Sequence, residues 1–512
     1  MNRILFLFIC ALCITSCNPL RKFAGKTDAD YASTITQEDL KKHLNIYASD
    51  EFAGRDTGEE SAKVAVNYLV TQYAAMGIGA PNDDHTQDVK LKRVKPKQAS
   101  LTIGESNFTL GEEFVNFFTV DDGKMAGSDF VYVGYGIETD EFSSFDDVDV
   151  EGKIVVATLG EPMLTDSTFV FSGTTDASPW SSVRASYRAR VGAAQKRGAT
   201  SMILLLPDDM YENYRGRFNE GGQERMMLDV VGEPNSFYSF FAGAAMEAEI
   251  LGENAKDKAT TIEKPISIEY ENEVIPFIAE NVVAHIKGSE LPNEYVVISA
   301  HLDHVGVNEE GEIYNGADDD GSGTVGVLEI AEAFQLAATE GHRPKRSVLF
   351  LHVTGEEKGL LGSQYYTDHD PIIPLENTVT NLNIDMIGRI DPEREGNRNY
   401  IYLIGSDKLS QELHDLSETV NERTMNIELD YTYNAEDDPN RFYYRSDHYN
   451  FAKNNIPIIF YFNGTHDDYH QPSDTVDKIE WDLLQNRTQL VFYTAWAVAN
   501  RESRIVVDLL EE

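Results

Sequence analysis

The spacing of hydrophobic positions changes character twice along the chain. From 35 to 76 it is helical: Val64, Tyr68, Leu69, Tyr73 and Met76 fall on one face before Gly77, and Thr36 with Asp39 three residues later predicts a capped start. From 85 to about 270 short alternating or apolar runs take over, at 89–94, 99–103, 130–133, 153–159 and 201–206, with turn residues between them. One helix is predicted there, over 187–196. From about 277 strands and helices alternate. Strands are predicted at 295–300, 347–353, 379–384, 400–404 and 456–462, and helices at 324–338, 360–368, 408–421 and 481–500. Buried strands separated by helices of that length predict an α/β fold, with a largely parallel central sheet flanked by helices.

The start of the chain follows other rules. A basic residue, Arg3, precedes an apolar run over 4–14 that is too short to span a bilayer but suits a signal-peptide core. The run ends in Ile14-Thr15-Ser16-Cys17, which resembles a bacterial lipobox. Residues 1–16 are therefore expected to be a lipoprotein signal peptide, Cys17 the lipidated residue, and 17–30 a polar tether. An ordinary secretory signal cut nearby is the alternative. The three cysteines, at 10, 13 and 17, all lie in this segment, so the mature chain is expected to lack a thiol for disulfides, thiolate catalysis or metal–sulfur bonds. The expected location is extracytoplasmic, lipid-anchored to a bacterial membrane at its periplasmic face or the cell surface.

Charge narrows the partners. With 86 acidic and 43 basic residues the net charge is −43, which repels nucleic-acid phosphates and anionic headgroups. No nucleic acid is expected as a partner, and a membrane only through the anchor. Hydrophobic residues make up 41% of the chain, too many for wholesale disorder, and 512 residues imply two or three domains.

In open α/β sheets, ligands bind beyond the carboxyl ends of the strands. His301, Asp303 and His304 follow the strand at 295–300, Glu356 and Glu357 follow 347–353, Asp385 follows 379–384, and His466 and His470 follow 456–462. The triplet Asp318-Asp319-Asp320 precedes the helix at 324. One acidic turn would ordinarily be solvated or cap a helix. So many His and carboxylate groups aimed at one rim, without thiolate, predict a catalytic site for Zn²⁺ or a similar divalent ion. The carboxylate surplus suggests two ions sharing a bridging carboxylate. Two weaker motifs compete. Asp318, Asp320 and Glu329 fit a calcium-loop spacing, but Gly306, Gly311 and Gly316 rule out the entering helix it needs. Gly134-Tyr135-Gly136 has no helix behind it and reads as a turn.

Taken in order, Ser299-Ala300-His301-Leu302-Asp303, Gly316 to Gly323, Gly355-Glu356-Glu357, Asp385-Met386 and Tyr469-His470-Gln471-Pro472-Ser473-Asp474 resemble the M28 family of zinc peptidases over about residues 275–485. The loop at 48–55 and its flanking helices are similar to the start of such enzymes. Val131 to Gly136, Gly152 to Val156 and the stretch 192–206 resemble a protease-associated (PA) domain. The resemblance implies that 31–105 begins the peptidase domain, 106–270 is an inserted, mainly β PA-like domain, and 271–512 is the di-zinc catalytic domain. It implies one Zn²⁺ on His301 and Asp385, a second on Glu357 and His470, and Asp319 bridging them; other divalent metals are possible. Asp303 would orient the His301 ring, Glu356 would be the general base, and Tyr443, or its neighbour Tyr444, would aid the oxyanion. His304, His448 and His466 are read as surface or outer polar groups.

The implied activity is that of a metal-dependent aminopeptidase acting on short peptides. A carboxypeptidase of the same fold is an alternative, with Arg441 or Arg445 as the carboxylate clamp. A binding or receptor-like module without catalysis and a glutaminyl cyclase are others, and the presence of both Glu356 and Glu357 disfavours them. Nothing in the sequence sets an oligomeric state.

Overall fold

The structure is a computed structural model describing residues 26–509 apart from 82–83, 117–120, 165–166, 220–223, 232–236 and 253–257. The expected signal peptide, Cys17 and most of the tether lie outside the described residues. Among those described, no helix is long and apolar enough to cross a membrane.

After a five-residue helix, Asp28–Ala32, come two longer ones, α1 (Gln37–Tyr47) and α2 (Glu60–Met76). The Thr36 hydroxyl accepts from the Asp39 backbone N–H at 3.1 Å, and Gly77 ends α2 in the left-handed conformation. Between them the chain turns through Ala53 and Gly54, both at positive φ. A Cβ on Gly54 would lie 2.4 Å from the Gly306 carbonyl oxygen, so this turn packs backbone against backbone.

The large sheet contains β1 (Thr86–Ile103), β2 (Ile266–Ile286), β3 (Leu291–His301), β4 (Arg346–Val353), β5 (Thr378–Ile384), β6 (Tyr400–Ile404), β7 (Glu428–Asp430) and β8 (Ile458–Phe462). They lie in the order β7-β6-β8-β5-β3-β4-β2-β1. β3 runs parallel to β4 and β5, and β5 parallel to β8, so four carboxyl ends share one rim. Helices α3 (Gly323–Thr339), α4 (Leu361–Asp368), α5 (Gln411–Arg423) and α6 (Trp481–Asn500) complete the layers. Successive strand residues feed opposite cores: Val296 and Ile298 pack with α3 and α6, while Val297 and Leu349 pack with Tyr366 of α4.

The inserted unit has its own six-stranded sheet, whose inner strands Phe130–Tyr132, Ile154–Thr158, Ser201–Leu205 and Tyr238–Ala242 run parallel. Expected to be mainly β, it also carries the helices Val183–Lys196, Asp208–Arg217 and Ala244–Leu251, because parallel neighbours need a crossover. Apolar clusters cover both faces of this sheet. The boundaries expected at 106 and 270 lie beside the far end of a long ribbon, where Ile103 of β1 pairs with Ile266 of β2. β1 and β2 pair from Thr86↔Val282 to Ile103↔Ile266, joining the two units as one ribbon. The strands expected at 89–94 and 99–103 are parts of β1, with a register shift between Pro96 and Gln98. A short strand, Arg225–Leu228, returns to pair with β1, and Leu228 packs with Leu361 and Tyr365 of α4.

Candidate metal centre

Every strand end on the shared rim contributes a side chain. His301 closes β3, Glu356 and Glu357 follow β4, Asp385 follows β5, and His470 lies in the loop after β8. Asp319, from the turn before α3, sits among them. Its Oδ1 is 3.2 Å from His301 Nε2, and its Oδ2 is 3.1 Å from His470 Nε2. Asp385 Oδ1 is 3.6 Å from His301 Nε2, and Glu357 Oε2 is 3.0 Å from His470 Nε2. The two oxygens of one carboxylate therefore face two different His–carboxylate pairs.

The aspartate triplet divides its labour. Asp318 Oδ1 accepts from the Ser322 hydroxyl and the Gly388 N–H, and Asp320 accepts from the backbone N–H groups of His301, Gly323 and Met386. These flanking carboxylates are committed to holding the loops, which leaves Asp319 for the histidines. Glu329 lies inside α3 beside His43, away from Asp318, so no calcium loop forms. Arg55, buried in the first turn, cross-braces the same region: its guanidinium donates to the carbonyls of Leu302, Tyr47, Asn315 and Gly316.

Asp303 meets the His301 ring through its backbone carbonyl, 3.1 Å from Nδ1. Its carboxylate is 3.9 Å from that nitrogen and instead accepts from the Thr57 hydroxyl and the Glu356 N–H. Ser446 donates to Asp385 Oδ2 at 2.7 Å and turns Oδ1 toward His301. His304, read from the sequence as a surface or outer polar group, is fully buried, with Nδ1 2.9 Å from Glu357 Oε1 and 3.8 Å from Asp319 Oδ2. A histidine three residues after another at a strand end was the available signal. His466 is also buried, 3.1 Å from Asp318, and His448 stacks on Phe460.

The electrostatics are those of a cation site. Burial opposes charge on His301, yet the Asp385 and Asp319 carboxylates hold it protonated well above its ordinary range. His470 behaves alike, raised to about 10 against burial by Asp319 and Glu357. Burial and the neighbouring Glu357, Asp385 and Asp447 carboxylates push Glu356 far above the usual carboxylate range. Asp447, fully buried and bonded to Ser363, is raised by burial to about 7.

A cleft opens beside these groups, lined by Asp319, Glu356, Asp385, Arg445 and Tyr469 among others. Tyr443 is not one of them. It lines a neighbouring cavity with Tyr444 and Arg441, because its ring packs against His448 and Tyr449. The tyrosine of the cleft is Tyr469, stacked on the His470 ring at 4.0 Å.

His301 Nε2 and Asp319 Oδ2 are buried without a hydrogen bond, and both point into the cluster. Orphaned atoms of this kind in an all nitrogen–oxygen donor set fit divalent cations. Two groupings have ligand atoms mutually within 4.8 Å: His301, Asp319 and Asp385, and His304, Asp319 and Glu357.

Known proteins match this chain in the same region. Residues 281–495 fit the model of peptidase family M28. A "probable leucine aminopeptidase 2" from Aspergillus oryzae is 29% identical over 242 residues, 47% of this chain and 38% of that protein. Aminopeptidase YwaD of Bacillus subtilis is 25% identical over 233 residues, 44% of this chain and 46% of that protein. The chain thus spans less than half the length of these curated relatives. Among solved structures, the aminopeptidase from Aneurinibacillus sp. strain AM-1 covers 95% of this chain and 99% of its own, with a TM-score of 0.55 and 19% identity, a likeness of fold. The stretch that carries the cluster, residues 281–495, is thus the part of this chain that is similar to peptidase family M28.

Proposed function

We propose that the protein is a di-zinc aminopeptidase that removes N-terminal residues from short peptides. One observation carries the reading: Asp319 turns one oxygen to His301 and the other to His470, with a carboxylate, Asp385 or Glu357, beside each histidine. His301 and Asp385 would hold one ion, Glu357 and His470 the second, and Asp319 both. Bound ions of this kind supply Lewis acidity to a scissile carbonyl and acidity to a water. Glu356 takes the proton of the attacking water as the C–O bond forms and returns it to the amine as the C–N bond breaks. A carboxylate serves both halves of that transfer when its pKa lies near the operating pH, and burial moves Glu356 upward from the ordinary range. Tyr469, in the same cleft, offers a hydroxyl to the carbonyl oxygen.

Free-amine and N-blocked peptides, each with and without chelator, test the reading. Cleavage of free-amine peptides alone, lost with chelator and restored by Zn²⁺, is expected. Release of C-terminal residues from blocked peptides would move the protein to the second reading, a carboxypeptidase, which Arg445 in the cleft favours. Cleavage of neither refutes both.

The anchor and the insert complete the proposal. Lipid on Cys17 would hold the enzyme on the extracytoplasmic side of a bacterial membrane. Cys17→Ser should then release it from the membrane fraction at unchanged specific activity, and retention would refute the lipobox. The PA-like insert would limit substrate size, a role supported by its strand Arg225–Leu228 packing on α4, the helix that follows the Glu356 loop.

A further inference from the structure

The cleft beside Glu356 is walled by Met386, Phe442, Phe460 and Phe462, and one cation stands among these apolar side chains, Arg445. Its guanidinium carbon lies 4.8 Å over the Phe442 ring. The side chain is exposed, and among the described residues no carboxylate pairs with it. Other arginines hold acidic partners: Arg346 with Glu294, Arg389 with Asp468, Arg394 with Asp430. In a chain with 86 acidic and 43 basic residues, a guanidinium left without one is free to meet an incoming acid.

Its backbone is fixed. The Arg445 N–H bonds to the Phe442 carbonyl at 3.0 Å, and the next residue, Ser446, donates to Asp385 at 2.7 Å. The guanidinium is thus tethered one residue from a carboxylate of the metal cluster. It lines the same cleft as Glu356 and Asp385, within reach of groups on the residues that flank the scissile bond. The planar fork matches a carboxylate with two parallel hydrogen bonds, and the aromatic walls lower the dielectric around that pair. The net charge of −43 repels an anionic peptide at long range, so a local cation is needed to hold one.

We propose that Arg445 is a carboxylate subsite, so that the enzyme prefers peptides carrying a carboxylate on a residue flanking the cleaved bond. The source is the C-terminus of a dipeptide or an acidic side chain. This rests on the aminopeptidase reading above.

Four substrates separate the sources: Leu-Ala, Leu-Ala-amide, Leu-Glu-amide and Glu-Ala-amide, assayed with zinc-loaded wild type and Arg445→Gln. At least one carboxylate-bearing substrate should lose about ten- to hundredfold in kcat/KM, mainly through KM, the range for one charge-assisted contact. Leu-Ala-amide should change less than about threefold, and Arg445→Lys should fall between. The substrate that suffers identifies the source. Equal change on all four substrates, or no change, overturns the proposal. Wild type alone gives an independent measure, a preference for a carboxylate substrate over Leu-Ala-amide that shrinks with added salt; its absence also overturns the proposal. Calorimetric binding of N-acetyl-Leu-Ala against its amide decides the subsite even if free-amine peptides are not cleaved. In that case the aminopeptidase reading fails while tighter binding of the acid still supports Arg445, and equal binding refutes it.

Discussion

Arg55 is 1% exposed, and its guanidinium is spent on main chain. It donates to carbonyls of Leu302 and Tyr47 at 3.2 Å, Asn315 at 2.7 Å and Gly316 at 2.9 Å, and lies 4.8 Å over the Tyr47 ring. Arg55→Met keeps most of the stem volume and removes every donor. At ~1 kcal/mol net per contact the four bonds are worth ~4 kcal/mol, and about twice that if each is fully charge-assisted. Burial of the guanidinium offsets several kcal/mol of the larger figure, which brings the expected loss to about 3–5 kcal/mol. The damage should not be confined to stability. Leu302 lies between His301 and His304, and Gly316 lies three residues before Asp319, so the loops that carry the proposed metal ligands should loosen together. Urea unfolding of metal-free protein and a separate Zn²⁺ titration measure the two effects. The expected results are a loss of about 3–5 kcal/mol and at least tenfold weaker Zn²⁺ binding. Arg55→Lys should restore less than half, since one ammonium cannot span four carbonyls. An Arg55→Met protein within ~0.5 kcal/mol of wild type, with unchanged Zn²⁺ affinity, would refute the bracing role.

Three further outcomes are expected. Glu356→Gln should keep its metal content by mass spectrometry while turnover falls at least ~10²-fold, the lower range for a positioned base; loss of a metal would make Glu356 a ligand. His304→Ala should weaken Zn²⁺ binding by ~10- to 100-fold, as loss of an outer partner does, and His304→Gln, which can still donate to Glu357, should recover part of it; an unchanged titration for His304→Ala sinks that role. Glu329 is 2% exposed and pushed up to about 8 by burial, with Glu332 and Asp39 adding to the rise. Its folded pKa exceeds the unfolded value, so the stability it contributes is fully present below the ordinary carboxylate range and is lost as pH climbs through about 8. Each unit of that rise corresponds to ~1.4 kcal/mol. Glu329→Gln should therefore flatten the fall in melting temperature between pH 5 and 9, and parallel curves for the two proteins would contradict this.

The sheet core was legible because its strands are buried on both faces and read as apolar runs, as in Val348 to Leu351. The ribbon was harder. β1 alternates lysines with apolar residues and contains Pro96, so its pattern looked like two short pieces; pairing with β2 makes it one strand. β7 offers three residues, none buried, and left no signal. At the site, residue type and position after a strand were enough to nominate the cluster. They could not show that Asp303 addresses His301 by its main chain, or that His304 turns inward, because both depend on how the loop after β3 is held by Arg55. Nor could spacing choose among tyrosines: Tyr443 and Tyr469 line different cavities, a matter of tertiary packing.

The ribbon of β1 and β2 gives the molecule an unusual seam. A guest domain commonly enters its host through a flexible linker, but here its two ends arrive on strands already paired, with Val94 opposite Val274 and Leu91 opposite Phe277. To the host sheet, what lies beyond those pairs is a hairpin turn that contains a folded unit, apart from the strand Arg225–Leu228, which returns to pair with β1. Such a seam leaves no hinge, so strain in the guest is passed on as twist of the host's own strands. It also marks where the parts can be exchanged: closing the ribbon with a two-residue Asn-Gly turn beyond Val94 and Val274 would excise the guest along the register that already joins them.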